Sequence, residues 1–167
     1  MSVVLAILFG LFLAYANGAN DNFKGVATLF GSGTTDYRHA LVWGTASTLL
    51  GSLIALILAE GLLATFSGKG LVPDRVVAMK SFSMAVVLAS ALTVMLATKL
   101  GFPISTTHSL TGALIGAGWL ASTSGVNLAI LGSSFFAPLL ASPLMAILLT
   151  AVLYPAFRSA RAYLGAG

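Results

Sequence analysis

The chain has 167 residues, 58% of them hydrophobic and 7% charged, with a mean hydropathy of +1.02. A soluble domain carries about a quarter charged residues, so this composition excludes a soluble globular protein and specifies an integral membrane one. Its 8 basic and 4 acidic residues leave a formal charge of +4, and the lack of cysteine excludes disulfides, thiol catalysis and Cys-ligated metals.

The basic excess has no interleaved aromatic patch, so it reads as Lys and Arg anchoring helix ends at the membrane interface, with no nucleic-acid partner. The apolar runs are unbroken instead of alternating, which specifies helices and not a barrel. The expected fold is an all-α integral membrane protein, one membrane domain over residues 1–167, with about four to five transmembrane helices.

Ser2 to Ala16 is apolar but shorter than the roughly twenty residues a span requires. It runs into Asn17-Gly-Ala-Asn-Asp-Asn22 and resumes as Phe23 to Phe30. Without a basic leader or a small-residue cleavage site, it is expected to be a retained first helix, not a signal peptide. A hydrophobic segment interrupted by glycine and side-chain amides predicts a discontinuous helix at a transport site. Gly31 to His39 is a loop. Ala40 to about Ala64 is a second span with Glu60 near its far end, and Phe66 to Asp74 is a connection. A third span lies within Arg75 to Lys99, bracketed by basic residues able to snorkel.

Pro103 to Trp119 is expected either as a re-entrant hairpin or as a short helix, with Pro103 in its first turn. Ala121 to Gly125 is a turn. Val126 to Tyr154 is a last apolar run, kinked or split at Pro138 and Pro143, ahead of a short basic tail with Arg158 and Arg161. The distribution of Lys and Arg gives only a slight bias in orientation.

Two clusters carry chemistry. Ser105, Thr106 and Thr107 fall at the start of the helix that follows Pro103. Free backbone N–H groups and the helix dipole there favour an anion, and the hydroxyls add hydrogen bonds to its oxygens. Asp21 is a carboxylate inside an apolar segment, costly unless it is paired or holds a cation. Asn17, Asn20 and Asn22 surround it with further oxygens of the kind hard cations such as Na⁺ prefer. The competing structural role for Asp21 is to cap the helix that restarts at Asn22. Lys24 either neutralises Asp21 or approaches the anion, or simply snorkels. His108 either shuttles a proton or donates to the anion, or serves packing; Glu60 is interfacial and His39 a loop residue. No enzyme is expected: adjacent Ser and His on a helix do not face each other, and no G-x-S-x-G elbow or H-E-x-x-H pair is present.

Together, Tyr15-Ala-Asn-Gly-Ala-Asn-Asp21 and Pro103-Ile-Ser-Thr-Thr-His108 resemble the G-A-N-D and P-[IV]-S-T-T-H signatures of the inorganic phosphate transporter (PiT) family. The resemblance extends to the intervening spans and the Ala137-Pro-Leu-Leu run. It implies coupled uptake of phosphate, or of sulfate in a related branch, with Na⁺ or H⁺ as the coupling ion and no cofactor. It also assigns the anion to Ser105, Thr106 and Thr107, the cation (Na⁺) to Asn20 and Asp21, and the chain to a cell membrane. Two departures accompany it. The family commonly continues with V-A-N-A, so Lys24 stands where a second Asn is expected, and its ammonium is expected to replace one coupling cation. Family members also carry two motif pairs on inverted halves, whereas this chain carries one. It is therefore expected to be a single inverted-repeat unit that pairs with a second half, either a copy of itself or a separate chain. The alternatives are a non-transporting subunit, a truncated half, a sulfate transporter or a channel.

Overall fold

The computed structural model describes residues 3–164, which are helical throughout their regular structure, as an all-α membrane protein. The chain divides into two compact units, Met1–Val126 and Asn127–Gly167. Among the described residues four helical segments are long and apolar enough to cross a membrane: Val3–Gly31, Tyr37–Leu58, Lys80–Lys99 and Leu128–Tyr163.

In the first unit, α1 runs over Val3–Asp21 without interruption, so the break falls later than expected. Asn17, Asn20 and Asp21 stay helical because their side chains find partners on other segments and do not compete for their own backbone. The ladder gives way at Asn22 and Phe23, followed by a 3₁₀ turn at Lys24–Val26 and a short α2 at Ala27–Gly31. Helix α3 spans Tyr37–Leu58, capped by the Asp36 carboxylate, which accepts the His39 N–H. It stops six residues short of the expected Ala64. Ala59 departs from helical geometry and Glu60 opens a separate α4, Glu60–Phe66, with its carboxylate at the favourable end of the dipole. A connection buries Leu71, Val72 and Val76, the last on the single-turn α5, Asp74–Val77.

The core of this unit is a line of three helices. α1 packs on α6, Lys80–Lys99, and α6 packs on α7, Thr106–Ala121. Helix α6 is central and buries Phe82, Val86, Ser90, Ala91 and Val94. Its fully buried Ser90 donates to Ser109 Oγ on α7 at 3.1 Å, and Ser109 Oγ donates in turn to the Ser90 carbonyl, also at 3.1 Å. Such reciprocal hydroxyl bonds join helices where lipid offers no polar partner. Gly118 of α7 comes so close to the connection that a Cβ there would lie 2.6 Å from Val72 Cγ1.

Between α6 and α7 the chain reverses at Gly101, whose φ of 75° suits only glycine well. Its N–H reaches the Thr98 carbonyl, and that of Phe102 reaches back to Ala97 at 2.8 Å, closing the end of α6. Pro103 lies two residues before the cap Ser105, not in the first helical turn as expected. A proline there holds Phe102 extended, and the Ser105 hydroxyl then starts the helix by accepting the His108 N–H. Helix α7 is a single helix of 16 residues. It rises about 24 Å, short of a hydrocarbon core of about 30 Å.

The second unit is one helical run: α8 (Leu128–Ile130), a widened π segment (Leu131–Phe136) and α9 (Ala137–Tyr163). Of the kink or split expected at Pro138 and Pro143, the split does not occur. Pro138 sits in the first turn of α9 directly after the π segment, and Pro143 and Pro155 lie inside the helix. A proline removes the bond to the carbonyl four residues back. For Pro143 that carbonyl belongs to Leu139, and the Ser142 hydroxyl supplies a substitute bond to it at 3.1 Å. Arg158 and Arg161 are therefore helical, not in a tail.

Candidate functional site

The end of α1 and the start of α7, distant in sequence, meet at one cleft. It is lined by Asn17, Asp21 and Lys24 on one side and by residues 103–107 on the other, with Leu110 below, and encloses about 710 Å³. That space exceeds a single small oxyanion many times over, so this unit supplies a wall and not a closed chamber.

Asn20 fixes the floor. Its amide nitrogen donates to Thr98 Oγ1 at 2.8 Å and to the Phe102 carbonyl at 3.3 Å, while its oxygen accepts from the Ile104 N–H at 3.3 Å. One side chain on α1 therefore clamps the α6 terminus and the extended approach to α7. Thr98, Phe102 and Ile104 were not singled out from sequence. The signal available for Thr98 was a lone hydroxyl next to Lys99 in an apolar run, and the backbone carbonyls leave no trace in side-chain chemistry.

Lys24 sits above that floor. Its ammonium donates to Asn20 Oδ1 at 2.6 Å, Asp21 Oδ1 at 2.5 Å and the Ile104 carbonyl at 2.8 Å. An ammonium has three protons, and these three oxygens take all of them. Of the expected roles for Lys24, the geometry therefore displays neutralisation of Asp21. The second carboxylate oxygen of Asp21 and the Asn17 oxygen share the proton of the Thr106 hydroxyl, at 3.2 Å and 2.5 Å. Asp21 is thus held from both sides and remains about one-third exposed to the cleft.

On the opposite wall the three hydroxyls divide their labour. Ser105 is the cap: its oxygen accepts the His108 N–H at 3.3 Å, leaving its own proton to donate. The Thr106 proton is committed to α1. Thr107 is exposed, and among the described residues its hydroxyl has no hydrogen-bond partner. The cap satisfies the third N–H of α7, so those of Thr106 and Thr107 have no carbonyl available within the helix. Two hydroxyl protons and two backbone N–H groups, at the positive end of a helix, are the donors an oxyanion requires.

Two expected members stand apart. Asn22 points to α3, donating to Thr45 Oγ1 at 2.9 Å and accepting from Thr48 Oγ1 at 3.1 Å, so it joins the helix after the break to α3. A Cβ on Gly44 would meet the Asn22 carbonyl at 3.0 Å, and glycine there permits this approach. The ring of His108 lines a different groove, with Ala85, Ala89, Thr93, Gly112 and Gly116. Among the described residues no group of three or more His, Cys, Asp or Glu side chains gathers to hold a metal.

The profile of the phosphate transporter family matches residues 17–164, from the first amide of this cleft almost to the end of α9. A protein of Mycobacterium bovis named as a phosphate permease is 30% identical over 120 residues, covering 69% of this chain and 21% of its own. The sodium-dependent phosphate transporter 1 of Pongo abelii is 30% identical over 156 residues, covering 89% of this chain and 22% of its own. The human protein of the same name is 29% identical over the same length. In these alignments the chain spans about a fifth of the length of the relatives it matches. No solved structure matches it.

Proposed function

The chain belongs to the phosphate transporter family, and on that premise we propose that it carries inorganic phosphate across a cell membrane, plasma or inner, coupled to Na⁺ or H⁺. The observation that carries this proposal is the start of α7. Ser105 and Thr107 keep free hydroxyl protons beside unpaired N–H groups, and they face a carboxylate whose charge is already balanced. An oxyanion bound there meets donors from α7 without opposing an uncompensated Asp21. Charge balance is the energetic requirement, because an unpaired ion in the low-dielectric core is heavily penalised. The sodium-dependent names of two relatives favour Na⁺ as the coupling ion.

The cleft supplies one wall, so the working site is completed by a second half, a copy of this chain or a separate one, with the two units of this chain acting as one membrane domain. Alternating access then moves one half against the other around the bound ions.

The test is uptake of labelled phosphate into proteoliposomes holding the purified chain, under an imposed Na⁺ or H⁺ gradient. Gradient-dependent uptake is expected where the second half is a copy of this chain, and phosphate binding without uptake where it is a separate one. Thr107→Ala should lower phosphate affinity about tenfold or more, the worth of one charge-assisted hydrogen bond of about 1.5–3 kcal/mol. Uptake of sulfate in preference to phosphate would overturn the substrate. Failure of a well-folded chain to bind phosphate at all would overturn the function.

A further inference from the structure

The most tightly held group in the cleft is a cation that belongs to the chain itself. The ammonium of Lys24 lies 2.5–2.8 Å from a carboxylate oxygen, an amide oxygen and a backbone carbonyl oxygen. This is a mixed oxygen donor set, with one negative charge, of the kind hard cations select. The three oxygens come from two separate segments, the end of α1 and the strand-like approach to α7. We propose that Lys24 is a tethered resident cation: its ammonium fills the three-oxygen cage of Asn20, Asp21 and Ile104, closes that cage to mobile Na⁺, and leaves a Na⁺ site when it is removed.

The argument rests on competition. Lys24 is covalently joined three and four residues from two of its ligands, so its effective concentration at the cage is at least millimolar. A mobile Na⁺ entering the cage would also displace the ammonium from all three oxygens while leaving it close to a like charge, which adds an electrostatic cost. The other acidic groups of the unit do not share this role. Asp36 bonds His39, Glu60 begins α4 and Asp74 begins α5, and none of them lines the cleft. Thr106, Thr98 and the Ile104 N–H already satisfy the remaining atoms of Asp21 and Asn20, so the cage survives loss of the ammonium with its geometry supported.

The consequence for coupling rests on the proposed transport function: one positive charge of the site is fixed, so one fewer mobile cation accompanies each anion. The cage itself can be tested without transport. The purified chain in detergent is melted in NaCl and in choline chloride at equal ionic strength, as wild type, Lys24→Asn and Lys24→Met. Any Na⁺-specific rise in the wild type should be unaffected by Asp21→Asn. Each Lys24 variant should be less stable in choline and gain a saturable rise of several degrees in NaCl. Adding Asp21→Asn to either variant should abolish that gain. Recovery of a poorly folded variant by NaCl alone counts as the same result. The proposal is overturned if wild type shows a Na⁺-specific rise that Asp21→Asn removes, or if neither Lys24 variant responds to Na⁺. Failure of the well-folded chain to bind phosphate would overturn the transport function and leave this result standing.

Discussion

At the scale of single residues, adjacent positions with similar side chains serve different partners. Thr106 ties α7 to Asn17 and Asp21, whereas Thr107 offers its hydroxyl to the cleft. Thr106→Val should therefore loosen the contact between α1 and α7, lowering the melting temperature along with phosphate affinity. Thr107→Ala should lower affinity with little change in melting. Equal effects on both measurements from both variants would contradict this division. Outside the membrane-spanning helices, Asp36 is exposed, yet the His39 backbone N–H, and then the His39 ring, hold its carboxyl below the usual carboxylate range. Because the folded value is the lower one, the cap stabilises α3 fully above that range and fades as pH falls through the lowered value. Protection of the His39 amide, taken against its intrinsic exchange rate at each pH, should fall in acid for this reason, and Asp36→Asn should remove that loss of protection. The types of residue in the site were legible from sequence, since a carboxylate and hydroxyls among apolar runs announce themselves. Their pairing was not: the bonds from α1 to the Thr98–Thr106 region join positions 78 to 89 apart, and no local pattern encodes such a register.

At the scale of elements, the sequence located the helices and misplaced their ends. Four spans were recognisable from apolar run length, but the interruption of α1, expected within Asn17–Asn22, begins only at its last residue, Asn22. Helix-breaking tendencies of Asn and Asp apply when their side chains turn back on the local backbone, and here tertiary partners take them. The same holds for Pro143, where Ser142 supplies the missing bond and the helix continues. Two substitutions test the joints. Asn22→Ala removes both bonds to Thr45 and Thr48 and should cost about 1–2 kcal/mol, seen as earlier unfolding. Gly101→Ala should cost about 1–2 kcal/mol for its left-handed backbone alone, since the space around that position is open. A neutral result at Gly101 would show that the reversal after α6 tolerates another geometry.

At the scale of the whole molecule, apolar surface faces outward. On α3, Leu56, Ile57 and Leu58 are each more than three-quarters exposed, and Leu128–Tyr163 is a 36-residue helical run apolar enough to cross a membrane. Lipid, or a second half, must cover that surface. If the proposed pairing is between copies, purified chain that transports phosphate should have a protein mass of about twice 17.0 kDa. A fully active monomer would refute pairing. The expectation of a second half came from motif count, whereas the openness of the cleft required coordinates.

The local pair of Lys24 and Asp21 also bears on how the chain is made. Thr98, Ile104 and Thr106 leave the ribosome long after Asp21, so none of them is available when the first helix reaches the translocon. Lys24 follows Asp21 by three residues and bonds it directly. The carboxylate can therefore enter the bilayer already matched with its counter-charge, and the later segments dock onto a neutral ion pair instead of rescuing a buried anion.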